Sequence, residues 1–331
     1  MNIHYFTTGR KKGKEVYYPP LVRAQIYSLA PYINSSEIHV VTSFLLPFYL
    51  LKCFTNNLKK KGGDIIHAQY GSFTALVAWL NSRNKPLIIS LCGSDLEGTA
   101  GNGFLWTLRD FITTNLSKWL SMRADQVIVK SENLKQHLPA KARKRVQVIP
   151  NGVDINKFYP VDKKDARKML DWDVETKYVL FTPSKANNQL VKNLPLALRS
   201  VELVREKTEY SVELIMLTNK TREEVALMMN AADCLLLTSF HEGSPNVVKE
   251  AMACNLPVIS VNVGDVLMRL KDDHLSSVVD SYEPKEIAQF ILRTLKLNSR
   301  TRGFEEIKKQ QLDSISVANN IYKIYQDLLN V

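Results

Sequence analysis

Cysteine is scarce in this chain of 331 residues: Cys53, Cys92, Cys234 and Cys254 are all there are. They show no paired spacing and no accompanying histidine cluster, which excludes a disulfide scaffold and a zinc module. They read as reduced, mostly buried thiols of a cytosolic protein. No apolar run reaches the length of about 20 residues that a membrane-spanning helix needs. The run Phe44–Leu51 is too short and carries Pro47. Met1–Phe6 lacks a charged leader before an apolar core and looks like a first strand, so no export signal is expected. There is no repeat and no low-complexity stretch, which excludes solenoids and tails.

Acidic residues are scarce in one half only. Residues 1–155 hold 20 Lys+Arg against 9 Asp+Glu, a surplus of 11, whereas residues 156–331 hold 24 of each. The whole net charge of +11 therefore lies on the N-terminal half, in runs at Arg10–Lys12, Lys59–Lys61 and Lys141–Arg145. Such a half attracts an anionic partner: acidic phospholipid, a lipid-borne diphosphate or nucleic acid. Nucleic acid is the least favoured, because no aromatic-basic recognition motif accompanies the charge. The lysines beside Phe44–Leu51 suit an interfacial element on an anionic membrane surface. Phe104–Ile112 with Trp119 is a second such segment. For both, packing on the domain core is the favoured expectation.

What is present is alternation. Apolar strand runs at Ile3–Phe6, Ile38–Thr42, Asp64–His67, Leu87–Leu91, Gln126–Val129 and Val146–Ile149 are separated by helical stretches. After Asn151-Gly152 a second series begins, at Tyr178–Thr182, Val212–Leu217, Cys234–Thr238, Val258–Val261 and Ser276–Val279. Alternation at this spacing predicts two doubly wound parallel α/β domains. The boundaries read as 1–155 and 156–313, with a last helix in 314–331 placed to pack back on the first domain. Such a pair implies a ligand in a cleft between the domains.

Between Ser239 and Ile259 two glutamates, Glu242 and Glu250, bracket a Gly243-Ser244-Pro245 turn and a helix start. The unit is strand, tight turn, helix, strand, and ligands of parallel sheets bind outside the carboxyl ends of the strands. Ser244 suits the N-cap and Pro245 the first helical position. The N–H groups of Asn246 and Val247 would then face an anion such as a diphosphate. Glu250 lies one turn on, where a carboxylate can accept two hydrogen bonds from a vicinal diol.

This string, with Glu250-Ala-Met-Ala253 and Leu256-Pro-Val-Ile259 in place, resembles the signature of the family-4 retaining glycosyltransferases, enzymes of the two-Rossmann-domain GT-B fold. The resemblance implies that Glu242 faces the donor sugar and Glu250 holds the nucleotide ribose. Val146–Phe158, with its Pro150-Asn-Gly152 turn, is similar to the family's interdomain signature, and Ala124–Ser131 to its last N-terminal strand. Phe181–Ala197 occupies the place of the donor-phosphate loop. Lys192 matches the family's lysine there. The arginine that usually precedes it is missing, and Lys185 is the substitute. Leu87–Leu96 matches the acceptor-side loop, with Cys92 where the family has histidine or arginine, followed by Gly93 and Asp95. His67, at another family strand end, is an acceptor-side candidate, though a satisfied core histidine is the better reading.

The resemblance thus implies Lys192, Glu242 and Asp95 as the catalytic set. The loop Thr7–Gly13 does not match GxGxxG, but Gly9 is a candidate for approach to a phosphate. No Asp-x-Asp follows a strand, so a donor site without metal and without a cofactor is expected. The function implied is transfer of a sugar from a nucleotide-diphosphate sugar to a hydroxyl acceptor, free or lipid-linked. The resemblance extends to bacterial transferases of capsule or teichuronic-type polysaccharide assembly, working in the cytoplasm or on the inner face of the membrane. A GT-B sugar-nucleotide epimerase and a catalytically weak, membrane-docked sugar-nucleotide binder are the alternatives.

Overall fold

The computed structural model describes residues 1–12, 15–42, 64–98, 104–183 and 189–330. The Phe44–Leu51 run, the Lys59–Lys61 triplet and Lys185 lie outside them. The chain forms two compact units, Met1–Gly152 with Ser314–Val331, and Val153–Asp313.

The first unit is a six-stranded sheet of β1 (Asn2–Thr8), β4 (Ser35–Val41), β5 (Ile65–Gln69), β6 (Leu87–Leu91), β7 (Gln126–Val129) and β8 (Val146–Val148). The order is β4-β1-β5-β6-β7-β8 and every pairing is parallel. Consecutive residues on each strand feed opposite faces, so both must be apolar. Ile66, Ile89 and Val127 enter one core, and Ile65, Ile88 and Ile128 the other. The second core is closed by α1 (Pro20–Leu29) and by the chain's last helix, Ser314–Leu329, which contributes Val317, Ile321, Ile324 and Tyr325. Each such side chain, fully buried, contributes about 1.5–3 kcal/mol. The covering helix is therefore integral to the first unit.

One feature differs from the sequence expectation. The segment after β1 is not an open glycine-rich loop but an antiparallel hairpin, β2 (Arg10–Lys12) with β3 (Glu15–Tyr17). Helix Phe104–Ser121 packs on the core through Leu116 and Leu120, as the sequence suggests, and its other side is bare. Trp106, Leu108, Phe111, Ile112 and Trp119 are exposed on it, Phe111 by 67%.

The second unit is a five-stranded parallel sheet of β9 (Lys177–Phe181), β10 (Val212–Met216), β11 (Cys234–Leu237), β12 (Val258–Val261) and β13 (Ser277–Val279), in the order β10-β9-β11-β12-β13. One continuous core runs through it. Strand order reverses between β9 and β11, the kind of switch point at whose strand carboxyl ends parallel sheets bind ligands. Val153 and Asp313, where the chain enters and leaves this unit, are joined in a parallel bridge.

Candidate active site

The two loops at that reversal carry the predicted donor residues. After β9 the chain resumes as a one-turn helix, Gln189–Lys192, which ends at Asn193 in the left-handed conformation (φ 50°) before helix Leu194–Arg205. Lys192 thus stands on a helical turn. After β11, Thr238 Oγ1 donates to the carbonyls of Lys192 (2.8 Å) and Asn193 (3.0 Å), and Phe240 N donates to Val191 O (2.8 Å). These bonds hold the two loops together. Across them the Lys192 ammonium pairs with Glu242 Oε1, which also accepts from Ser239 Oγ at 2.8 Å. The structure brings Lys192 and Glu242 into direct contact.

Helix α11, Asn246–Ala253, starts one residue later than the sequence suggested. Pro245 is its N-cap, extended at ψ 117°, and no side chain caps the helix. Ser244 does not cap because its hydroxyl receives the buried ammonium of Lys249 at 3.1 Å, a residue that sequence reasoning passed over. The positive end of the helix therefore stays open to an anion at Asn246 and Val247. Asn246 Oδ1 is buried without a hydrogen-bond partner among the described residues. Gly243 and Glu242 are pressed from the other side by Gly264, whose φ is +59°. A Cβ on Gly264 would stand 2.8 Å from the carbonyl oxygens of both.

Glu250 is almost wholly buried, and its Oε1 accepts from Arg222 Nη2 at 2.7 Å. Arg222 opens the helix Arg222–Ala231, whose start is set by a capping box between Thr221 and Glu224. Its guanidinium lies 4.5 Å from the centre of the Phe158 ring. A cation at the positive end of a helix is unfavourable. That misplacement was the available signal for a functional arginine, and it was not read.

In the first unit the predicted acceptor residues lie within β5, at His67, and on the turn that follows β6, at Cys92, Gly93 and Asp95. Asp95 is buried, and its carboxylate accepts from the N–H groups of Gly71 (2.9 Å), Cys92 (2.9 Å) and Gly93 (2.8 Å). Burial raises its pKa, against the pull of those bonds. With its oxygens turned to the backbone, Asp95 shapes the loop; the role of a reacting group does not fit this geometry. Gly93, at φ +131°, has no atom of the described residues within 4 Å of where a Cβ would stand. Cys92 reaches the surface, yet the dense packing around its thiol and the Asp95 carboxylate push its pKa up to about 12. His67 is fully buried, with Nδ1 on Tyr325 Oη (2.7 Å) and Nε2 on Ser90 Oγ (2.8 Å). Both ring nitrogens are occupied within the unit. Gly9 faces the hairpin, since a Cβ there would stand 2.2 Å from Tyr17 O. Its smallness serves that approach of backbone to backbone.

Among the described residues, His4, Glu37 and His39 could offer ligand atoms to an ion. They already engage one another, with His4 Nδ1 at 3.0 Å from His39 Nε2 and 3.5 Å from Glu37 Oε2. Register brings them together from β1 and β4, which no sequence spacing reveals.

Residues 4–157 match the family Glycosyltransferase Family 4, and residues 175–311 match Glycosyl transferases group 1. The chain is 24% identical over 305 residues to a glycosyltransferase of Methanocaldococcus jannaschii, spanning 86% of this chain and 81% of that one. It is 28% identical over 181 residues to the D-inositol 3-phosphate glycosyltransferase of Mycobacterium tuberculosis, but this match spans only 48% of this chain and 38% of the relative. Among solved structures, sucrose-phosphate synthase of Thermosynechococcus elongatus superposes with a TM-score of 0.77 at 17% identity, over 99% of both chains. HepE of Anabaena, crystallised with UDP and glucose, gives 0.72 at 17% identity, over 99% of this chain and 100% of its own. Two parallel α/β units, a shared fold and family matches to both halves in chain order make this protein a GT-B glycosyltransferase of the family-4 type.

Proposed function

We propose that this glycosyltransferase transfers a sugar from a nucleotide-diphosphate sugar to a hydroxyl acceptor, with retention at the anomeric carbon, in assembly of a cell-surface polysaccharide. The observation that carries the reading is the pairing of Lys192 with Glu242 beside the uncapped start of α11. As the bond from the anomeric carbon to the diphosphate oxygen breaks, its electron pair leaves with the diphosphate, the acceptor oxygen bonds to that carbon on the same face, and the hydroxyl proton passes to the departing diphosphate oxygen. The Lys192 ammonium and the N–H groups of Asn246 and Val247 meet that growing charge, where fixed donors act most strongly. Glu242 orients the donor sugar, and Glu250, held by Arg222, takes the ribose diol. Gly243, Ser244 and Pro245 shape the turn over which the diphosphate lies, and Lys185 adds a second cation. These groups supply the charge work, so no divalent metal is required. Asp95 acts by holding Cys92 and Gly93 in place on the acceptor side.

HepE, which shares the fold, was crystallised with UDP and with UDP-glucose, so uridine nucleotides are the first donors to try. The decisive experiment incubates the protein with sugar nucleotides and candidate acceptors, in EDTA and in Mg²⁺. Release of nucleoside diphosphate only with acceptor, equal in EDTA, and an unchanged anomeric configuration by NMR are expected. Conversion of the donor to its isomer without acceptor would make it an epimerase. Binding without turnover would make it a sugar-nucleotide binder.

A peripheral membrane location is part of the proposal. Its support is the exposed stripe Leu108, Phe111, Ile112 and Trp119 on a basic half. No helix among the described residues is long and apolar enough to cross a membrane.

A further inference from the structure

Lys130 follows β7 directly. Because Val129 is the register partner of Leu91, Lys130 comes out beside the turn that begins with Cys92. It is 3% exposed, and its Nζ is buried with no hydrogen-bond partner among the described residues. Three N–H donors of a strongly hydrated ammonium are thus withdrawn from water with nothing to receive them, a costly arrangement unless a partner arrives. Asp95 does not serve, because its oxygens are given to the N–H groups of Gly71, Cys92 and Gly93. Burial lowers the lysine's pKa, while the nearby Cys92 and Asp95 draw it back up. His67, on the next strand but one, feels the same charge.

The position suits a ligand. Lys130 lies at the carboxyl ends of the central strands, where parallel sheets bind their substrates. The turn beside it has room: among the described residues no atom lies within 4 Å of where a Cβ on Gly93 would stand, and Cys92 reaches the surface. A phosphate-type anion offers several oxygens to the three donors, and the surplus of 11 positive charges on residues 1–155 draws multiply charged anions toward this unit.

We propose that Lys130 is the acceptor-side ligand for a phosphate oxyanion carried by the acceptor, which makes it a determinant of acceptor specificity. The proposal rests on the transfer reading above. The phosphate belongs to a soluble sugar phosphate or to a lipid-borne diphosphate, and the chemistry at Lys130 is the same.

The test compares wild type, Lys130→Met and Lys130→Arg by thermal unfolding at constant ionic strength. Two probes are used: glucose 6-phosphate in solution, and farnesyl diphosphate in phosphatidylcholine vesicles. Wild type should gain several degrees in Tm with one of them. The responding probe tells the soluble source from the lipid-borne one. Lys130→Met should be at least as stable as wild type without probe, having lost an uncompensated buried charge, and should show no response. Lys130→Arg should keep part of it. Lys130→Gln, read in the same way, serves if the methionine variant does not fold. An equal response in wild type and the neutral variant, or none in wild type to either probe, would overturn the proposal. UDP binding by wild type, measured by calorimetry, tests the transfer reading separately. A chain that binds neither UDP nor any of GDP, ADP and dTDP fails that reading while the Lys130 comparison still stands.

Discussion

Lys192 and Glu242, 50 residues apart in the chain, form an ion pair across the loops that leave β9 and β11. The pair sits at the strand-order reversal of the second unit, so the lysine assigned to the diphosphate is held by the carboxylate assigned to the sugar. Lys192 therefore has two claims on its charge. When the diphosphate gains charge in the transition state, the lysine is already in place and needs only to share its donors. Lys192→Ala should lower kcat by about 100-fold or more, the scale for losing one donor to a developing anion, with a smaller change in donor affinity. Glu242→Gln should tighten UDP binding several-fold by freeing the lysine, while slowing transfer. Calorimetry and single-turnover rates check both, and wild-type turnover in Lys192→Ala would remove the lysine from the mechanism.

Glu250 and Arg222 form a second pair with a different balance. The carboxylate is buried and the guanidinium is about half exposed, so the pair itself contributes little to stability. Its value lies in fixing one Glu250 oxygen and leaving the other for a ribose hydroxyl. Glu250→Ala should weaken nucleotide binding by about 1.5–3 kcal/mol, the range for a hydrogen bond to a charged group. Arg222→Ala should have a smaller effect of the same sign, and Arg222→Lys should fall between, since a point charge does not reproduce the planar fork. Unchanged affinity for UDP in Glu250→Ala would exclude this carboxylate from the site.

The two sheets, though not the order of their strands, were legible in the sequence because parallel strands buried on both faces must be continuous apolar runs. Ile65–Ile66 and Ile88–Ile89 show this directly. The Glu242–Glu250 string was legible because its spacing straddles one loop and one helix start. Features made by register or by distant approach were not. The short hairpin Arg10–Tyr17 is charged and carries no strand pattern. Gly264 looks like any loop glycine until its approach to Glu242 and Gly243 is seen. Lys130 reads as a surface lysine at a strand end until its burial is known. Asp95 was expected in the catalytic set, but its partners are backbone N–H groups, which a sequence does not show.

His67 gives the first unit a defined response to acid. Burial, aided by the charge on Lys130, lowers its pKa from the usual 6.5 to about 3. Between these values the unfolded chain binds the proton and the folded chain does not, so stability rises with pH. The slope from this one group is at most about 1.4 kcal/mol per pH unit. Its contribution is complete above pH 6.5 and is lost as the pH falls toward 3. Denaturant unfolding of wild type and His67→Gln between pH 4 and pH 8 should show a flatter dependence in the variant. Parallel curves would mean that the imidazole is charged in the fold.

The exposed face of helix Phe104–Ser121 makes the membrane part of the proposal testable on its own. Leu108, Phe111, Ile112 and Trp119 recur at helical spacing on the solvent side, where a helix of a soluble domain places polar residues. Arg109 and Arg123 lie over the Trp106 and Trp119 rings, which joins cations to the apolar stripe. Apolar burial in the headgroup region would then act together with attraction to anionic lipid, each basic residue contributing about 1 kcal/mol near such a surface. The electrostatic part is screened over about 8 Å at physiological salt, whereas the apolar part is not. Vesicle sedimentation should therefore show strong binding to anionic lipid at low salt, weaker binding at high salt, and little to neutral lipid. Phe111→Ser with Ile112→Ser should reduce binding at every salt concentration, because it removes the salt-independent part. Neutralising Lys59, Lys60 and Lys61 should instead flatten the salt dependence. Equal partitioning to anionic and neutral vesicles, or none to either, would assign the basic half to a soluble anionic acceptor.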